Sequence, residues 1–133
     1  MIRKYFKNKN SFDRIIYMHP IALMIMFDAI NYLDSHSHIA KITSTVSTKA
    51  EDYALKRTRN THLSGRAFDL SVEGMNSDLI SSLKKYLNDK YKSKYGAVVN
   101  TKQRKLIVDH VGTARHLHIQ IHSDYSSDID VVD

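Results

Sequence analysis

Four side chains in this sequence have the types and spacing that metal-assisted hydrolysis needs: His62, Asp69, His116 and His118. Imidazole nitrogens and carboxylate oxygens are zinc donors, and any metal here must use them because the chain has no cysteine. That absence also excludes disulfides, thiolate zinc sites and cysteine nucleophiles. His62 falls in a loop, Asp69 on the strand that follows it, and His118 on a later strand. Three protein ligands leave a fourth position for water, the layout of a catalytic rather than a structural zinc site. Successive side chains on a strand alternate sides, so His116 projects with His118, roughly 6.6 Å along the same face.

The elements that must position these groups are legible in the apolar periodicity. Pro20 suits the first position of a helix, where its missing N–H is not needed. Leu23, Phe27, Ile30 and Leu33 then recur at helical spacing, predicting a helix over about 20–34. Asn76, Ser77 and Asp78 form a cap signal for a second helix with Leu79, Ile80, Leu83, Leu87 and Tyr91 on one face. Residues 39–46 are rich in β-branched types and read as a strand. In 67–72, Phe68, Leu70 and Val72 alternate with Ala67, Asp69 and Ser71. Residues 95–99 and 105–108 flank a polar segment as a hairpin does. In 116–122, Leu117, Ile119 and Ile121 alternate with His116, His118, Gln120 and His122. Gly65 allows a tight bend between His62 and Asp69. The order of elements predicts an α+β domain, helices against a mostly antiparallel sheet.

The run Thr61-His62-Leu63-Ser64-Gly65-Arg66-Ala67-Phe68-Asp69 resembles the His-x-x-Gly-x-Ala-x-Asp signature of the M15 zinc peptidases, within the wider group of lysostaphin, D-Ala-D-Ala peptidases and hedgehog. His62, Gly65, Ala67 and Asp69 match its defined positions. His116-Leu117-His118-Ile119 is similar to the His-x-His strand of the murein endopeptidase and lysostaphin branches. The resemblance spans about 39–122, with its anchoring motifs at 62–69 and 116–118. It implies a central antiparallel sheet with helices packed on it, hedgehog/DD-peptidase-like, and Zn2+ bound by His62, Asp69 and His118. The implied activity is hydrolysis of peptide bonds in peptidoglycan stem peptides or cross-links, as endopeptidase or carboxypeptidase, in the setting of phage-encoded cell-wall lysis.

Certain positions depart from that pattern. Many relatives carry Glu or Asp three residues before the last zinc histidine as the base; Arg115 stands there. The base role then falls to His116, as the murein endopeptidase branch implies; a neutral imidazole with pKa near 6.5 accepts a proton at neutral pH. Arg66 or another nearby cation is a candidate support for the oxyanion, although the place of Arg66 on the motif argues equally for a structural surface residue. Asn60 replaces the usual Ser before the first histidine. An arginine often follows the strand at Ile42-Thr43-Ser44 to hold substrate; here Ser47 and Thr48 occupy that region, with Lys49 as a weak substitute. His110 and His122 are candidates for supporting the ligands.

With 133 residues, 42% hydrophobic and 26% charged, the chain suits one soluble domain, expected over 1–122 with an acidic, polar tail at 123–133. The net charge of +6 and pI of about 9.5 favour polyanionic surroundings: nucleic acid, anionic lipid or cell wall. The cations cluster at Arg3, Lys4, Lys7 and Lys9, at Lys56, Arg57 and Arg59, and from Lys84 to Lys94. No window reaches the roughly 18 apolar residues of a membrane span; the run 20–27 stops at Asp28. The basic start lacks a following signal-like region. The expectation is a monomer made in the cytoplasm and acting at the cell wall after release or virion delivery, without stable membrane insertion. Two rivals remain: a catalytically inactive zinc-binding domain of the same fold, and a basic nucleic-acid binder. For the latter, Asp109-His110 resembles the start of a His-Asn-His nuclease motif, but no Asn follows Asn100 and no nucleic-acid signature accompanies it; no nucleic-acid partner is therefore expected.

Overall fold

Helix α2 (Pro20–Ser35) begins at the proline the sequence marks, with His19 as its cap: the ring Nδ1 accepts from the Ile21 N–H at 3.1 Å. This computed structural model describes residues 2–58, 60–98, 103–112 and 114–125. The buried stripe of α2 is Ala22, Ile25, Met26, Ala29, Ile30 and Leu33, while Leu23 and Phe27 are only partly buried. The helix is apolar nearly all round, so its sequence offers several stripes; packing chooses one. Helix α1 (Lys9–Asp13) precedes it, and α3 (Lys49–Ala54) follows, opened by a capping box of Thr48 and Glu51. Helix α4 (Ser77–Leu87) is capped by Asn76, whose Oδ1 accepts from the Leu79 N–H at 2.8 Å. Its Ile80, Leu83 and Leu87 are buried as the periodicity predicts. A π-helical turn, Asn88–Lys92, then brings Tyr91 and Lys90 onto Asp28 of α2, which also accepts from Tyr86. Asp28 thereby ties the two helices together.

Strands β1 (Ile42–Ser44), β2 (Ala67–Ser71), β5 (Ile107–His110) and β6 (His116–Gln120) form one antiparallel sheet in the order β1-β2-β6-β5. Leu70, Leu117 and Ile119 are buried in the same core as the apolar faces of α2 and α4. Each fully buried Leu or Ile contributes roughly 1.5–3 kcal/mol from burial. The register sets Asp69 opposite His118, and His116 opposite both Ser71 and His110. A slip of one residue would turn every histidine into the core and Leu117 and Ile119 out of it, so the apolar face fixes the site's alignment. The architecture is α+β with an antiparallel sheet.

The expected strands are shortened or divided. Of 39–46, only Ile42–Ser44 is a strand; a register shift follows Ile42, and Thr45 and Val46 turn inward as buried loop. Of 105–108, Lys105 pairs in a separate two-stranded sheet, β3 (Ala97–Val98) with β4 (Arg104–Lys105), whereas Ile107 and Val108 belong to β5. Leu106 is fully buried between them. The hairpin's expected tip, 99–102, lies outside the described residues. So does 126–133 of the expected tail; Ser123–Tyr125 forms a 3-10 turn.

Candidate metal centre

Gly65 adopts φ 72°, a conformation that suits glycine. The turn it completes is closed by Gly65 N–H to the His62 carbonyl and Arg66 N–H to the Thr61 carbonyl. It folds His62 back over β2, where the ring is 3% exposed. His62 Nε2 lies 3.1 Å from Asp69 Oδ1, and His118 Nδ1 lies 3.0 Å from the same oxygen. The three sequence-predicted ligands therefore converge, with one donor atom from each within 4.8 Å of the others.

The protons on the two rings are fixed by their outward partners. His62 Nδ1 faces the Thr45 carbonyl oxygen at 2.6 Å. A carbonyl only accepts, so the proton sits on Nδ1 and the Nε2 lone pair points at Asp69. His118 Nε2 faces Gln120 Oε1 at 3.1 Å. The Gln120 amide is oriented by its own NH2 donating to the Lys105 carbonyl at 3.3 Å, so its oxygen is the end that accepts from His118. The His118 proton is then on Nε2, and the Nδ1 lone pair points at Asp69. Two imidazole lone pairs and a carboxylate oxygen thus face one another at hydrogen-bond distance with no proton to share. Positive charge among them removes the repulsion, either as extra protons on the rings or as a metal ion. Backbone carbonyls that orient ligand histidines in this way are usual outer partners of metal sites, and the Gln120 amide oxygen takes the same position toward His118.

This buried His62, Asp69 and His118 group can hold a metal ion. Neighbouring donors around a tetrahedral zinc lie about 3.4 Å apart for bonds near 2.0–2.1 Å; the two histidine–Asp69 separations are close to this, and the ring nitrogens lie within 4.8 Å of each other. Burial alone pushes the Asp69 carboxyl up, but when the rings of His118 and His62 carry the extra protons their hydrogen bonds and charge outweigh it. Asp69 is consequently held well below the usual carboxylate range, as the anion a cation needs.

His116 stands beside the group, its Nε2 3.9 Å from Asp69 Oδ2. Its Nδ1 donates to the Ala114 carbonyl at 3.0 Å, which leaves the Nε2 lone pair facing inward. His110, across the strand pair, stacks on His116 with ring centroids 4.8 Å apart and planes 20° apart. Burial, with His116 and His118 nearby, lowers the His110 pKa and favours its neutral form. His122 is engaged elsewhere, its Nδ1 accepting from the Asp124 N–H.

Lys56 and Arg57, which the sequence marks only as part of a basic cluster, line the cleft. Lys56 takes φ 54° after α3, and the chain reverses so that Arg57 enters the cleft, 3.8 Å from Asp69 Oδ2 and 3.3 Å from Asp52 Oδ1. Arg66 has a different place. Its guanidinium is buried and holds Ser64 Oγ, Asn60 Oδ1 and the Ile121 carbonyl, clamping the His62 turn to the end of β6. It does not line the cleft, where Arg57, Thr58, Thr61, Val108 and His110 form the walls. Arg115, at the position of the expected acid, makes two bonds to Asp109, at 3.0 and 2.6 Å. Asp109 alternates with Val108 and His110, so this pair is not part of the cluster. Lys49 opens α3, and the expected substrate arginine after β1 has no counterpart there; Arg57 supplies a cation from further along the chain.

Comparison with protein-family models, curated proteins and solved structures gives no match in any of the three.

Proposed function

We propose that the chain is an M15-type zinc peptidase that hydrolyses peptide bonds in peptidoglycan stem peptides or cross-links, on a hedgehog/DD-peptidase-like arrangement of the sheet. The observation that supports this reading is the shared orientation of three imidazoles: His62, His118 and His116 each give their outer N–H to a carbonyl-type oxygen and turn a lone pair toward Asp69. Two of those lone pairs and Asp69 are a ligand set, and the third belongs to a base in waiting. Zinc held by His62, Asp69 and His118 supplies Lewis acidity and a water that is acidic near neutral pH.

The chain's own groups account for the remaining tasks. His116 Nε2 accepts the proton of the attacking water and returns it to the leaving amide nitrogen. The Ala114 carbonyl holds that ring in the tautomer with a free Nε2, and stacking against His110 limits its rotation. The Arg57 guanidinium opposes negative charge developing on the carbonyl oxygen. The test is purified protein on muropeptides with and without a chelator, products read by mass spectrometry. Chelator-sensitive cleavage lost in Asp69→Ala is expected; cleavage that survives both removes the metal mechanism.

A second reading, metal binding without turnover, draws on Arg115. Its pairing with Asp109 leaves His116 without a carboxylate base to replace it. Stoichiometric zinc with no product from any muropeptide favours that reading.

A further inference from the structure

The basic run from Lys84 to Lys94 is divided by the fold. Lys84 pairs with Asp109 at 3.3 Å, Lys85 with Asp89 at 2.6 Å and Lys90 with Asp28 at 2.7 Å. Lys92 and Lys94 are exposed and meet no carboxylate among the described residues. Two cations distant in sequence join them from β4. Arg104 donates to the Gly96 carbonyl at 3.0 Å, and Lys105 beside it is exposed. Neither meets a carboxylate among the described residues.

Gly96 makes this meeting possible. Its N–H donates to the Lys92 carbonyl at 3.0 Å. A Cβ there would stand 2.7 Å from the Lys92 carbonyl oxygen and 3.2 Å from both the Leu106 nitrogen and the Lys105 carbonyl carbon. Only a residue without a side chain lets the helical turn and β4 approach so closely. Lys92, Arg104 and Lys105 consequently line one depression of about 370 Å³, with Asn88 and Gln103 as its neutral polar groups and no acidic residue in its walls. Successive residues of a strand face opposite sides: Ile107 lines this depression and Val108 lines the cleft. The cations therefore lie across β5 from His62, Asp69 and His118.

The neighbouring aromatic rings are already engaged. Lys94 Nζ lies over the Tyr95 ring at 5.2 Å, with the Tyr91 ring 6.4 Å away. Tyr86 stacks on Tyr32 at 4.6 Å and carries Lys90 Nζ at 5.4 Å. A surface for single-stranded nucleic acid combines cations with open ring faces on which bases stack; this cluster offers charge alone.

We propose that the cluster of Lys92, Lys94, Arg104 and Lys105, independently of the metal centre, is a docking surface for a linear phosphodiester polymer without bases, a polyol phosphate. Lysines act as point charges toward phosphate and suit a chain whose oxygens point in every direction. Arg104, held by the Gly96 carbonyl, is a pre-ordered donor among them. The test is fluorescence anisotropy of the full chain with labelled poly(glycerol phosphate), repeated over a range of salt concentrations. Two variants remove the same charge: Lys92→Gln/Lys94→Gln/Lys105→Gln at the cluster, and Lys4→Gln/Lys7→Gln/Lys9→Gln near the start of the chain. All these lysines are exposed, and melting curves check that both variants fold. The cluster variant should bind at least about tenfold more weakly in about 0.1 M salt, and the slope of log affinity against log salt should fall by about 2, since each phosphate contact on a single strand contributes about 0.7. The other variant should stay within about threefold of wild type, having lost only distant charge. Gly96→Ala leaves the charge unchanged and should also weaken binding, because it pushes the turn and β4 apart. Equal losses in the two lysine variants would mean that net charge alone attracts the polymer, and would overturn the surface. Single-stranded DNA of equal charge binding more than about threefold tighter than the polyol phosphate would show that bases are read and overturn the choice of partner. Asp69→Ala should bind the polymer as wild type does, which keeps this result separate from that of the peptidase reading.

Discussion

Replacing Gln120 with leucine isolates the tautomer reasoning from the ligands themselves. Gln120 is 2% exposed and touches no proposed metal position; its role is to accept the His118 Nε2 proton at 3.1 Å while its amide is held by Lys105. Without that acceptor the Nε2 proton keeps only the longer contact to the Thr61 hydroxyl, at 3.4 Å. The tautomer with Nδ1–H gains a hydrogen bond to Asp69 at the existing 3.0 Å, which hides the lone pair a metal needs. Loss of such an outer partner lowers metal affinity by about 10–100-fold, or about 1.4–2.8 kcal/mol. Gln120→Glu keeps an acceptor at this place and should bind zinc within about threefold of wild type or more tightly, since a carboxylate accepts more strongly than an amide. The assay is competition with a chromophoric chelator at one fixed pH, because ligand deprotonation makes affinity pH-dependent. Gln120→Leu binding zinc within twofold of wild type would refute the reasoning.

Other consequences are independent of the metal. Asp28→Ala removes the acceptor shared by Tyr86, Lys90 and Tyr91 and should cost about 2–3 kcal/mol in urea unfolding; a loss under 0.5 kcal/mol would mean the network is ornamental. Leu117→Ala, at a fully buried position on a central strand, should cost about 2–5 kcal/mol, read as a lower urea midpoint. Arg115, against some opposition from burial and with help from Lys84, pulls the Asp109 carboxyl down to about 2. Its folded pKa is thus below the unfolded value of about 3.9, so its stabilisation is complete above that pH and lost as pH falls toward 2. Asp109→Asn should be less stable at neutral pH and show a flatter acid limb; an unchanged limb contradicts the pairing.

Much of the framework was legible because it depends on local periodicity. Leu83 and Leu87 on α4, and Leu117 and Ile119 on β6, are where a helical and a strand repeat put them. The same repeat delivered His116 and His118 to one face, and the His62–Asp69 spacing needed only Gly65 to bend. What was missed depends on contacts distant in sequence. Thr45 reads as strand, yet its carbonyl serves His62 from a buried loop. Gln120 reads as a polar face residue and becomes the orienting group for His118 because the distant Lys105 carbonyl holds its amide. Arg57 enters the cleft because Lys56 takes a left-handed conformation, which lysine types do not signal. Arg66, inside the motif, was open to either an oxyanion or a structural role, and its bonds hold the turn. One local signal was present but unread: Thr48 and Glu51 at capping-box spacing announce α3.

The inward convergence of imidazole lone pairs on Asp69 is most directly tested by long-range proton–nitrogen NMR of the histidine rings, recorded with and without zinc. With zinc, His62 and His116 should carry their proton on Nδ1 and His118 on Nε2, and only His62 Nε2 and His118 Nδ1 should show the shift of a metal-bound nitrogen. The reverse tautomer at His62 or His118, or spectra that zinc leaves unchanged, would contradict the proposed centre.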